Sequence, residues 1–158
     1  MKLARTIRFD ESDLNIFDHP AETDEWAISG GFSFSDWTED MLTGKARQAF
    51  ANGWMGIESF GRSTFVAVAQ IEPFEFDELV QKLAQHFVTV YGAPDIDAAL
   101  PTAREELEYM ADLCRDHEPN TLLVVERSLG DMGVREGFRA IKPQEAELEA
   151  FAVHGSFE

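Results

Sequence analysis

A chain of 158 residues with 44% hydrophobic side chains and 13 Phe can fill a core of its own, which excludes intrinsic disorder and any need for disulfide or metal staples. Thirty Asp and Glu against 13 Lys and Arg leave a formal charge of −17 and a sequence pI near 4.4. That balance excludes nucleic acid as a partner, because phosphate binding draws on clustered cations and so negative a field repels a polyanion.

The first residues, Met1-Lys2-Leu3-Ala4-Arg5-Thr6, run into charge before any apolar stretch of signal-peptide length, and no run is long enough to span a bilayer. The expected setting is the cytoplasm, with no membrane partner. Cys114 is the single cysteine and has no partner for an intramolecular disulfide. No repeat, low-complexity tract or linker divides the chain, so one domain is expected over 1–158, with a short helical tail from Pro143.

In chain order, Leu3, Arg5, Ile7 and Phe9 alternate with Ala4, Thr6 and Arg8 as a strand does. A polar turn at Asp10–Asp13 and a second run, Leu14–Phe17, predict a hairpin. Trp26, Ile28, Phe32 and Phe34 place a large apolar face on a strand over 26–35, where Gly30-Gly31 signals a bulge or a close approach by another backbone or a ligand. From Thr38 the period becomes helical through Leu42, Ala46, Ala49 and Phe50, with Gly44 inside the helix and Gly53 as its stop.

Gly56 and Gly61 mark an irregular connection, and the run from Thr64 to Ile71 is apolar on both faces, as a central strand requires. Phe76, Leu79, Val80, Leu83, Phe87, Val90 and Tyr91 then predict a helix ended by Gly92 and Pro94, with Glu78 and Lys82 as an i,i+4 pair. A second long helix after Pro101 carries Ala103, Leu107, Met110, Ala111 and Cys114 on one face. Residues 72–118 hold twelve acidic and three basic side chains, so these helices carry much of the negative surface. Thr121 to Val125 is an apolar strand, and Gly130–Gly133 turns the chain back. Residues 134–141 suit a helix through Val134, Phe138 and Ile141 or a strand through Val134, Phe138 and Ala140, and the strand is the better fit. The fold class expected is α+β, a largely antiparallel sheet with helices packed against it.

Stretches along the whole chain carry a resemblance: Lys2 to Phe9 with Trp26–Gly31, Leu42–Gly53, Gly61–Val68 and Pro119–Arg127. Together they resemble a small family of uncharacterised, mostly proteobacterial proteins. The resemblance implies a stand-alone bacterial domain and carries no activity.

Catalytic spacing is missing wherever it is sought. Gly44-Lys45 lacks the first glycine of a phosphate loop, since Glu39 stands there, and Ala46 replaces its hydroxyl. Ser59-Phe60-Gly61 is half a nucleophile elbow, with Ile57 where a glycine belongs. His19, His86, His117 and His154 have no partner spacing that fixes a role. Cys114 and His117 lack a second ligand pair, so no metal and no cofactor is expected, and paired acids such as Glu105 with Glu108 arise on any solvated helix of so acidic a chain.

The remaining candidate is basic. Lys45, Arg47 and Arg62 lie near glycines and close in sequence to Ser29 and Ser33, a set that would hold a small carboxylate or phosphate. Salt bridges to Asp36, Glu39, Asp40 or Glu58 are the plainer explanation. The leading expectation is therefore a non-enzymatic accessory or protein-interaction domain, with Trp37, Trp54 and Phe60 available for a partner or a homodimer contact. A small-anion or metabolite-binding domain or enzyme using Lys45, Arg47 and Arg62 comes second, and an acidic polyanion mimic third.

Overall fold

The computed structural model describes residues 1–8 and 12–142, Ser12 by its backbone alone. Among the described residues seven strands form one sheet: β1 (Lys2–Ile7), β2 (Trp26–Ile28), β3 (Trp54–Gly56), β4 (Arg62–Ser63), β5 (Phe65–Gln70), β6 (Leu122–Gly130) and β7 (Gly133–Ile141). Their order across the sheet is β4-β3-β2-β1-β5-β6-β7, and each pair of neighbours runs antiparallel. Among the described residues four α-helices accompany them: α1 (Ser12–Ile16), α2 (Gly44–Asn52), α3 (Pro73–Tyr91) and α4 (Ile96–Cys114). The class is α+β, as expected.

The register explains the core. Val66 lies opposite Leu123, and Ala4 opposite Val68, so these side chains share one face. That face meets Leu79, Leu83, Leu107 and Met110 of α3 and α4 in the main core. A fully buried Leu such as Leu83 or Leu107 stabilises by about 1.5–3 kcal/mol relative to exposure. The opposite face gathers Phe65, Ala67, Leu122, Val124 and Ile141. β5 is accordingly buried on both faces, which is why its sequence reads as an unbroken apolar run.

α3 begins with Pro73 at its first turn and ends at Gly92, whose φ of 77° is the left-handed cap that glycine adopts without strain. α4 starts earlier than its sequence suggested. Asp95 caps it by accepting from the Ala98 N–H at 2.7 Å, and Pro101 sits inside the helix. A proline early in a helix removes one hydrogen bond, which the cap and the packing of Ala99 and Ala103 offset.

Four expectations need correction. Leu14–Phe17 is not the second strand of a hairpin, because residues 12–16 form α1 and β1 pairs instead with β2 and β5. The buried Asp13 accepts from the Thr64 hydroxyl at 2.8 Å and fastens this helix to the start of β5, an attachment no local pattern reveals. The strand over 26–35 stops at Ile28, since Gly30 turns left-handed at φ 74° and Gly31–Phe34 wind into a 3₁₀ turn. The helix from Thr38 is a 3₁₀ turn at Glu39–Met41 followed by α2, with Gly44 as the first residue of that helix. Lys82 bonds to Glu58 across the surface, rather than to Glu78 along its own helix.

The glycine connection after α2 is sheet, forming β3 and β4, and residues 133–141 are strand. The expected tail from Pro143 lies outside the described residues.

Candidate functional site

Two regions concentrate side chains that composition alone would not bring together. The first surrounds Arg62. Its guanidinium is buried in the fold, where it donates to the carbonyls of Gly53 at 3.2 Å and Gly30 at 3.1 Å and to the Ser33 hydroxyl. Burial, and then the neighbouring charge of Arg127, push its pKa down to about 9. Neither Asp36 nor Glu58 is its partner; Glu58 is taken by Lys82.

Arg127 was missed by sequence reasoning. It is equally buried and donates to Phe50 O at 3.0 Å and Gly53 O at 2.8 Å, and to both oxygens of Ser29. Those α2 carbonyls have no partner within the helix, and a cation there also faces the negative end of the helix dipole. Directly opposite Arg127 in the β6–β7 register stands Glu136, which accepts from Arg127 Nε at 3.3 Å and from the Ser29 hydroxyl. The Phe34 ring lies 4.6 Å from the Arg62 guanidinium carbon and 5.4 Å from that of Arg127, so one aromatic face serves both cations. A signal was present: Leu123, Val125 and Arg127 alternate onto the inward face, and counting outward from the Gly130–Gly133 turn sets Arg127 against Glu136.

The Gly30-Gly31 pair is approached closely by side chains of other elements, rather than by another backbone. A Cβ on Gly30 would fall 2.6 Å from Met55 Cβ and 2.7 Å from Arg62 Nη1, and one on Gly31 would run into the Glu136 carboxylate. Ser59 is likewise structural: its hydroxyl donates to the buried Glu25 carboxylate at 2.7 Å, and Glu25 also accepts the Ser59 N–H at 2.8 Å.

Lys45 and Arg47 are exposed on α2 and apart from the buried hydrogen-bond set of Arg62. Arg47 does line a groove of about 430 Å³ with Glu39, Phe50, Arg127 and Ser128. Cys114 is wholly buried in the core, and burial raises its thiol pKa to about 12, with Lys2 acting weakly the other way. Among the described residues, no three His, Cys, Asp or Glu side chains converge as metal ligands. Trp54, considered above for a partner contact, is 0% exposed and stacks on Phe138, so it cannot serve one. Trp37 is half-buried edge-on to Phe34.

The second region is the α3–α4 hairpin. Phe32 meets Phe87 and Tyr91 edge to face at ring separations of 5.1 and 5.5 Å. With Gly92, Ala93, Pro94, Ala98, Ala99 and Thr102, these rings line a cleft of about 370 Å³. His86 stacks flat on Phe60 at 3.7 Å beside it, and burial lowers the His86 pKa. Phe74, Val90 and Tyr91 are 64, 59 and 48% exposed on α3, a helix that also carries Glu75, Asp77 and Glu78.

The sequence profile of one family matches residues 1–158. The chain belongs to a family of unknown function, DUF6505. No curated protein and no solved structure matches it. Among the described residues no helix is long and apolar enough to cross a membrane.

Proposed function

We propose that this chain is a non-enzymatic protein-interaction domain whose docking face is the acidic α3–α4 hairpin. One observation carries the reading: the exposed Phe74, Val90 and Tyr91 and, Phe32 apart, the whole lining of an aromatic cleft fall within residues 72–118, a stretch with twelve acidic and three basic side chains. Interfaces combine aromatic anchors with a polar rim, and a rim of one sign selects a partner of the other. The arginine pair supports the same view from the other side. Its donors are spent on backbone carbonyls, Ser29, Ser33 and Glu136, so the most concentrated polar cluster holds the fold together.

A photo-crosslinking residue installed at Val90 in the native cell tests this. It should yield a discrete adduct that a residue at Met132, 91% exposed on the β6–β7 turn, does not. Equal labelling from both positions, or none from Val90, would contradict the assignment.

A second reading, a small-anion or metabolite site, draws on the groove that brings Arg47 beside Arg127 and Ser128. In this reading Arg47 supplies the accessible cation, Lys45 adds charge on the same helix, and Arg62 fixes the surrounding backbone. Phosphate and small carboxylates should then raise the melting temperature by mass action, and Arg47→Ala should remove the gain. An unchanged melting temperature across the panel removes this reading.

A further inference from the structure

We propose that the cleft at the α3–α4 turn is a socket for one apolar side chain of a partner protein, presented by a segment that carries lysine or arginine on either side of it. The proposal rests on the interaction reading above and assigns its occupant.

The cleft is built to receive a side chain. Three interlocked rings form its wall, with Phe87 and Tyr91 set edge to face at 6.0 Å and Phe32 against both. Packing each ring against the other two reduces the side-chain freedom lost on binding. The rest of the lining is mostly small: Gly92, Ala93, Ala98 and Ala99 leave open the space that larger residues would fill. At about 370 Å³ the space lies at the small end of ligand-sized cavities, which run from roughly 300 to 1,000 Å³. One buried aromatic or aliphatic anchor ringed by near-neutral contacts is the usual energetic centre of a protein interface.

The charge around the cleft chooses the flanks. No lysine or arginine occurs between Lys82 and Arg104, a stretch that supplies every lining residue of the cleft except Phe32. Asp95 and Asp97 are exposed at the start of α4, immediately beside Pro94 and Ala98. An acidic segment would meet like charge there and a neutral apolar one would gain nothing from it, whereas lysine or arginine beside the anchor meets its complement.

The test is selection of a random peptide display library on the purified full chain, followed by affinity measurement on the synthesised winners. The proposal expects winners that pair an aromatic or aliphatic residue with neighbouring Lys or Arg, bind more weakly as salt is added, and lose about tenfold or more in affinity on Ala98→Trp, which fills the socket. Thr102→Trp fills it from the next turn of α4 and guards against misfolding of the first variant, with the melting temperature of each as the check. Winners without basic residues, or binding untouched by both fillings in folded protein, would overturn the socket. So would a mass of twice 17.8 kDa by light scattering that Ala98→Trp returns to the monomer, since the occupant would then be a second copy. Crosslinking from Val90 that survives Ala98→Trp would sink the socket while leaving the docking face in place, whereas no crosslinking from Val90 in the otherwise unaltered chain would remove the face itself.

Discussion

Arg62 and Arg127 donate to the same carbonyl oxygen, that of Gly53, at 3.2 and 2.8 Å. Two buried cations so close repel each other, and burial lowers the pKa of both. The arrangement is held by what surrounds it: the Glu136 carboxylate, the Phe34 ring, and the accepting carbonyls of Gly30, Ser29, Phe50 and Gly53.

Removing one member should therefore be costly. Arg127→Ala should destabilise by about 3–5 kcal/mol in urea unfolding, because the Phe50 and Gly53 carbonyls lose a donor and Glu136 loses its charge partner. Arg127→Lys should recover only part of this, since an ammonium cannot span the separated acceptors of a planar guanidinium. A loss below about 1 kcal/mol would show that the cluster contributes little.

Gly30 and Gly92 provide a matched pair. Both have positive φ, 74° and 77°, so an alanine at either meets the left-handed strain of about 1–2 kcal/mol. At Gly92 nothing lies within 4 Å of the added Cβ, whereas at Gly30 it strikes Met55 and Arg62. Gly30→Ala should lower the melting temperature well beyond Gly92→Ala, and equal effects would contradict the packing described.

Much of this architecture was legible and some was not, for physical reasons that individual residues show. α3 and β5 carry patterns set by burial on one face and on two, and burial is what periodicity reports. α1 and the stop at Gly30 depend on contacts far away in sequence, Asp13 with Thr64 and Gly30 with Met55 and Arg62, so a local window reads both as strand. At the candidate sites, Arg62 was conspicuous as a cation near glycines, but its acceptors are mostly backbone carbonyls, which carry no sequence signature. The cleft depends on Phe32 meeting Phe87 and Tyr91 across more than fifty residues, and nothing in the chain's order announces that.

Cys114 should react with thiol reagents only as fast as the protein unfolds. Its side chain is wholly buried, and burial raises its pKa to about 12, so at pH 8 the folded state presents almost no thiolate. Labelling by a water-soluble disulfide reagent should be slow in buffer and immediate in denaturant. Rapid stoichiometric labelling of native protein would contradict its place in the core.

His86 makes stability depend on pH with a definite sign. Burial holds its folded pKa below the ordinary 6.5, so on acidification the unfolded chain binds the proton first. Its contribution is complete above that ordinary value and is lost as pH falls through it toward the lower folded one. Glu106, raised by burial and then by Glu136 and Glu105, acts in the opposite sense, but equally in both proteins compared. On going from about pH 7.5 to 5, His86→Phe should therefore lose less melting temperature, or gain more, than the wild type, and an unchanged slope would contradict the assignment.

The interaction face is most directly tested by reversing its charge. Asp97→Lys, Glu105→Lys and Glu108→Lys alter exposed positions of α4 without touching the core, so the combined variant should fold, as circular dichroism can verify. Affinity-tagged wild-type chain, isolated from its native cell at low salt, should carry a stoichiometric polypeptide of basic character that the folded variant does not. Recovery of the same partner by both proteins, or of a partner as acidic as the chain itself, would contradict the account.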